Sequence, residues 1–348
     1  MFDSMSPLQV SLAAIGGLTL VAVVIYNQWT SRKNAPRQAD PVPETDAAMQ
    51  EPGVDADPIE PVLTDDFGTL PQPERKPLLD ALIDAMATIE VDHPVSGDAA
   101  LAALPATRRV GTKPFHVEGC SESSGEWEPL VAGRRYSAFQ AGVQLANRVG
   151  ALNEIEFSEF VVKTQAFADA VGGTPSFSDM LHEVARAREL DQFASAHDAQ
   201  LSFTLCARAA AWSPGYIQQH AARHGFVAGV IPGRMVLPAE VQGLPPILSL
   251  TFDTQAALAE DPALSAIRDF SLSLDVPQIA REEQPFERLR QAALLLAADM
   301  DGVITDGEGH LLADEVLDQI ANDLRQLYDA LDERELSAGS SQARRLFS

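Results

Sequence analysis

The chain has 348 residues with 25 basic and 50 acidic side chains, a formal charge of −25. That balance excludes a general phosphate-backbone binder, which needs clustered Lys and Arg, so no nucleic-acid partner is expected. Two cysteines, Cys120 and Cys206, are too few for a disulfide scaffold or a cysteine-based zinc site.

From Pro7 to Tyr26 the chain carries no charged residue, and these 20 residues match a hydrocarbon core of about 30 Å. Tyr26 and Trp29 suit the membrane interface. The start carries Asp3 and no Lys or Arg, unlike a removable signal, so residues 1–33 read as an uncleaved transmembrane anchor with basic juxtamembrane residues. Arg32, Lys33 and Arg37 follow the span, which puts the N-terminus outside and the bulk of the chain in the cytoplasm.

Residues 34–106 hold 11 of the 23 prolines and 15 acidic residues against Arg37, Arg75 and Lys76. Such a stretch cannot repay the entropy of folding and reads as a disordered, extended tether. Within it, Leu78, Leu79, Leu82, Ile83 and Met86 recur at helical spacing, so an amphipathic helix is expected near 78–90. It either docks back on the folded part or binds a partner.

Residues 107–333 alternate between strand and helix periods. Phe115-His116-Val117, the stretch 139–146, the stretch 201–208, Ile247 to Phe252 and Leu272 to Val276 predict strands with one apolar and one polar face. That pattern belongs to an antiparallel sheet covered by helices on one side. Helices are expected over 156–171, 177–193, 214–224, 285–300 and 313–332, with Ser213-Pro214 as a start signal and Gly225 as a stop. The order strand, long helix, small-residue break, second helix occurs twice, from Val143 and from Leu272. It reads as a partial duplication, with 107–199 an added half-domain.

Two catalytic patterns fail on their own terms. Leu294 to Asp306 imitates a haloacid-dehalogenase phosphatase motif with Asp299 as nucleophile and Asp301 as acid–base. No lysine follows Lys163 to clamp a phosphate, and 42 residues after Asp306 are too few for the parallel sheet. His220 and His224 have metal-ligand spacing, but Ala221 stands where a zinc protease needs Glu. No enzyme activity, cofactor, metal or small-molecule substrate is expected.

The chain resembles the ZipA family, membrane anchors that bind the bacterial division protein FtsZ. The resemblance is carried by Trp29 to Lys33 after the span, by the acidic proline-rich tether, and by the order of elements from Gln200 to about Asp332. These elements are LSFTLCAR, WSPGYIQQHAARHGF, VAGVIPGRMVL, PPILSLTFD, the strand ending in Val276-Pro277, and FERLRQAALLLAADMDGVITD. It implies an α+β fold for 200–333, an antiparallel sheet with helices on one face in a split β-α-β arrangement. It further implies a bacterial inner-membrane location and tethering of FtsZ filaments during septum assembly. The FtsZ C-terminal tail would lie as a helix in a groove on the open sheet face. Groove positions fall on Ser202, Thr204, Val230, Ile231, Thr251, Asp253, Ser271 and Ser273. Most are polar where the family has apolar residues. Three readings therefore stay open: a wetter FtsZ site, a site moved onto 107–199, or another division or envelope partner. Residues 334–348 read as a frayed tail.

Overall fold

A computed structural model describes residues 36–40 and 78–348. The predicted anchor at 1–33 and the stretch 41–77 lie outside the described residues. Among the described residues no helix is long and apolar enough to cross a membrane. The fold is α+β, with two six-stranded antiparallel sheets and a two-stranded ribbon. The chain forms two units, one holding 78–198 with 334–348 and the other 199–333 with 36–40.

The first unit opens with β1 (Asp84–Ser96) and α1 (Gly97–Ala103), then β2 (Arg109–Val110), β3 (Lys113–Ser121), β4 (Trp127–Pro129) and β5 (Arg135–Gln144). A ribbon of β6 (Ala146–Asn147) and β7 (Gly150–Ala151) leads into α2 (Glu154–Val171), β8 (Gly173–Phe177) and α3 (Met180–His197). Its sheet runs β2-β3-β5-β1-β8, with β4 beside β3. Asn153 and Glu156 form a reciprocal capping box that starts α2. The stripe Phe157, Phe160 and Phe167 then lies against the sheet, Phe160 edge-on to Phe115 at 6.1 Å and Phe167 edge-on to Phe139 at 5.3 Å.

The second unit comprises β9 (Gln200–Ala207), α4 (Pro214–Arg223), β10 (Val227–Ala228), β11 (Arg234–Leu237) and β12 (Leu248–Thr251). These are followed by α5 (Thr254–Ala257), β13 (Asp269–Asp275), α6 (Pro285–Met300), β14 (Gly302–Thr305) and α7 (Asp314–Glu333). Its sheet runs β10-β11-β12-β13-β9-β14. Ser213 caps α4 by accepting from Tyr216 N, and Pro214 occupies the first turn. Leu289, Ala293, Leu296 and Met300 of α6 are buried, and Phe286 meets Phe203 edge-on at 6.3 Å. Residues 36–40 belong to this unit: Arg37 bridges Trp212 in parallel and donates to Met300 O at 3.1 Å.

Three expectations are corrected here. Residues 84–96 are a strand, not the end of an amphipathic helix. Ala85, Ala87 and Ile89 are buried, alternating with Met86, Thr88 and Glu90, and alanines are too small to announce that face in the sequence. The disordered tether does not reach 106, because β1 and α1 are folded and Arg37 is seated beside Trp212. The first unit is not half of the second. Thr88 pairs with Gln140 and Ser176 on its two sides, as Thr204 pairs with Ser271 and Thr305. In both units a long helix ends on a left-handed residue, Gly172 or Asp301, and a short strand follows at once. Asp301 adopts φ 54°, which costs a residue with a Cβ more than it costs glycine. Around β1 and β9 the two sheets therefore share one register, while at the other edge they differ: β4 branches from β3 in the first unit, and β10, β11 and β12 continue in one path in the second.

A chain starting at residue 107 lacks β1, which both β5 and β8 need as a partner. We expect it to lose the dispersed amide signals of the first unit while the second unit keeps its own. A chain starting at 78 is expected to keep both, and a fully folded 107–348 would contradict the strand assignment.

Candidate partner-binding face

In the second unit Phe203, Leu205, Leu250, Phe270, Leu272 and Leu274 turn into the core. Strand alternation therefore sends Ser202, Thr204, Thr251, Ser271 and Ser273 to the opposite face. Register places them in two rows: Thr251, Ser271, Thr204 and Thr305 in one, and Ser249, Ser273 and Ser202 in the other. Of the eight positions named from the resemblance, these five share one surface. Asp253 sits at its edge, capping α5 by accepting from Gln255 N at 2.8 Å. Thr251, Asp253 and Ser271 line an open cleft of about 370 Å³ together with Phe252, Arg268 and Asp269. Val230 and Ile231 lie apart, in the turn between β10 and β11, both exposed.

Several hydroxyls on this face already have partners in the sheet. Thr305 Oγ1 donates to Thr204 O at 3.2 Å, and Arg234 Nη2 donates to Ser249 Oγ at 3.0 Å. The rows can thus accept apolar cover at a lower desolvation cost than free hydroxyls. The sequence reading missed Arg234, Arg268 and Thr305. Thr305 was hidden because β14 lies inside the stretch taken as a helix break.

Asp299 lies near the end of α6 and not on a strand, with His224 Nε2 at 2.8 Å from its Oδ2. Asp301 pairs with Arg37 at 2.9 Å. Neither has the placement of a phosphatase nucleophile or acid. Among the described residues no group of His, Cys, Asp and Glu could hold a metal ion.

In the first unit the equivalent face is covered at one end. Asp84, Glu118, Gln140 and Gln144 on it are all buried. The C-terminal segment is not frayed: Ser341–Leu346 form a helix, α8, and Ala343, Leu346 and Phe347 are buried. Arg345 grips the Asp84 carboxylate with two bonds, at 2.5 and 2.9 Å. Burial pushes the Asp84 carboxyl above its ordinary value, and Arg345 works against that rise. Removing Arg345 would leave a buried, uncompensated charge, at a cost on the order of 3 kcal/mol.

Two histidines are held below the ordinary imidazole pKa, chiefly by burial: His116 on the first unit's covered face and His220 on α4. His220 stacks against Tyr216 with centroids 4.3 Å apart, and its Nδ1 has no partner among the described residues. A depressed folded pKa gives stability that is present above the unfolded value of 6.5 and is lost as pH falls. We therefore expect the urea midpoint to drop between pH 7 and about 5.5, above the carboxylate range. The double variant H116Q/H220Q should show a flatter profile over that window, measured by tryptophan fluorescence. A wild-type midpoint that rises over the same window would contradict the burial argument.

No family model matches this chain, and no curated protein is significantly similar to it.

Proposed function

We propose that this protein is a membrane-anchored scaffold of the ZipA type, which tethers FtsZ filaments to the bacterial inner membrane during septum assembly. It is a non-enzymatic, single-pass protein with a periplasmic N-terminus. Residues 7–26 hold it in the bilayer, and the folded units face the cytoplasm. The observation that carries the reading is the second unit's helix-free sheet face, on which Ser202, Thr204, Thr251, Ser271 and Ser273 stand in adjacent rows. An amphipathic tail helix of FtsZ would lie across those rows, with Ile231 and the Thr251–Ser271 cleft as its edges. Each contact is weak, because the rows offer hydroxyls where apolar residues would give more. Many anchors on one polymer supply avidity instead.

A second reading is a scaffold for a different division or envelope partner. The hydroxyl-rich rows favour it, since the resemblance implies a more apolar groove.

Deleting residues 1–33 should move the protein from a carbonate-washed membrane pellet to the supernatant. Titrating the FtsZ tail peptide onto residues 78–348 should shift the amides of Ile231, Thr251 and Ser271. Replacing Ser271 by Ile adds buried apolar surface and should tighten binding about tenfold, or ~1.4 kcal/mol. Absence of any shift at near-millimolar peptide would move the assignment to the second reading.

A further inference from the structure

The shared register identifies a second copy of the same face in the first unit. Glu118 stands beside Gln140 as Thr251 stands beside Ser271, and Gly142 stands beside Met86 as Ser273 stands beside Ser202. That copy is occupied by the chain itself. A Cβ on Gly142 would come within 2.5 Å of Leu79 Cδ2, so the leucine lies on the bare glycine. Glu118 Oε1 accepts the backbone N–H groups of Leu78 and Leu79, and its Oε2 accepts from Gln140 Nε2 at 2.8 Å. A buried carboxylate turned toward two successive main-chain N–H groups is built to receive a peptide. Over this segment lies α8. Arg345 Nη1 donates to Leu78 O at 2.6 Å, and Gln342 Nε2 donates to Asp80 Oδ2 at 2.7 Å.

We propose that the face of the first unit's sheet opposite α2 is a peptide-receiving site held shut in cis, with Leu78–Leu82 as its resident ligand and Arg345 of α8 as the latch. The class of ligand follows from the resident one. It is a short peptide with two adjacent aliphatic side chains, whose N–H groups meet Glu118 and whose next residue is acidic and meets Gln342. This inference goes beyond the FtsZ reading and does not use it. It rests on strand register and on the surroundings of Glu118, so either can fail alone.

Three observations make the cover separable from the sheet beneath it. The second unit pairs its central strand in the same way, and among the described residues Ser202, Thr204, Ser249, Thr251, Ser271 and Ser273 of its rows remain reachable by solvent, with Thr305 buried. The cover itself has little structure of its own: residues 78–83 are bend, coil and turn, and Leu78 and Leu82 are exposed. The latch helix spans six residues, too short to hold itself together. What holds these short segments is the burial of Leu79, Ile83, Leu346 and Phe347, and the entropy of ordering them acts against it.

The test uses the chain containing both units and the tail. By native-state hydrogen exchange, amides of 78–83 and 342–347 should exchange at least a hundredfold faster than those of Ile89 and Val143. Equal rates would mean that cover and sheet open only together, which would falsify the latch. In the Arg345→Ala variant, a labelled peptide of residues 78–82 added in trans should bind at least tenfold more tightly than to wild type. The same peptide carrying Leu79→Ser should bind neither. Unchanged affinity in the variant overturns the proposal, as does a variant whose first unit has melted. Arg345→Lys keeps the charge but loses the two-pronged grip, so it should fall between wild type and Arg345→Ala.

Discussion

Each unit depends on its first strand being paired on both edges. β1 lies between β5 and β8, and β9 lies between β13 and β14, antiparallel in every case. A strand so placed must send alternate side chains to opposite faces. The long helix that precedes the short edge strand then covers only one of them. The left-handed residue at Gly172 or Asp301 makes that possible, because it ends the helix and reverses the chain directly into β8 or β14. The uncovered face is therefore a consequence of topology. What each unit does with it depends on a few side chains.

Those side chains differ in kind. The second unit answers exposure with Ser and Thr, which are small, neutral and partly satisfied by their own sheet. The first unit places Asp84, Glu118, Gln140 and Gln144 there, and none of these could be buried without partners. Most of their partners are in place: Arg345 for Asp84, two backbone N–H groups and Gln140 for Glu118, and the Arg345 carbonyl for Gln144 Nε2, while Gln144 Oε1 has no partner among the described residues. Covering the face and charging it are thus one choice. A buried carboxylate demands a donor, and the donors come from the cover.

Much of the fold was legible where periodicity was strong. The strands near 139–146, 201–208, 247–252 and 272–276 and the five long helices lie where alternation and helical spacing place them. The elements that escaped are those whose signal is weak in the residues themselves. β1 hides its core face in Ala85 and Ala87, and the leucines just before it mimic a helix stripe. β8 and β14 are five and four residues long, and each follows a helix stop that reads as a loop. The second repeat of the duplication was visible in its helices, but the matching first half lay under proline and charge. The tail was the hardest case: Leu346 and Phe347 are apolar residues at a chain end, and only the buried Asp84 some 261 residues earlier explains why Arg345 precedes them.

Arg37 ties an early stretch of the chain to the second unit. Its backbone N–H donates to Ala211 O, its carbonyl accepts from Ser213 N, and its guanidinium reaches Met300 O and Asp301. Those bonds fix residue 37 to the second unit by main chain and side chain together. The two units follow one another without a gap at Asp198–Ala199 and at Glu333–Arg334, so the body of the second unit, 199–333, is a continuous segment set within the sequence of the first.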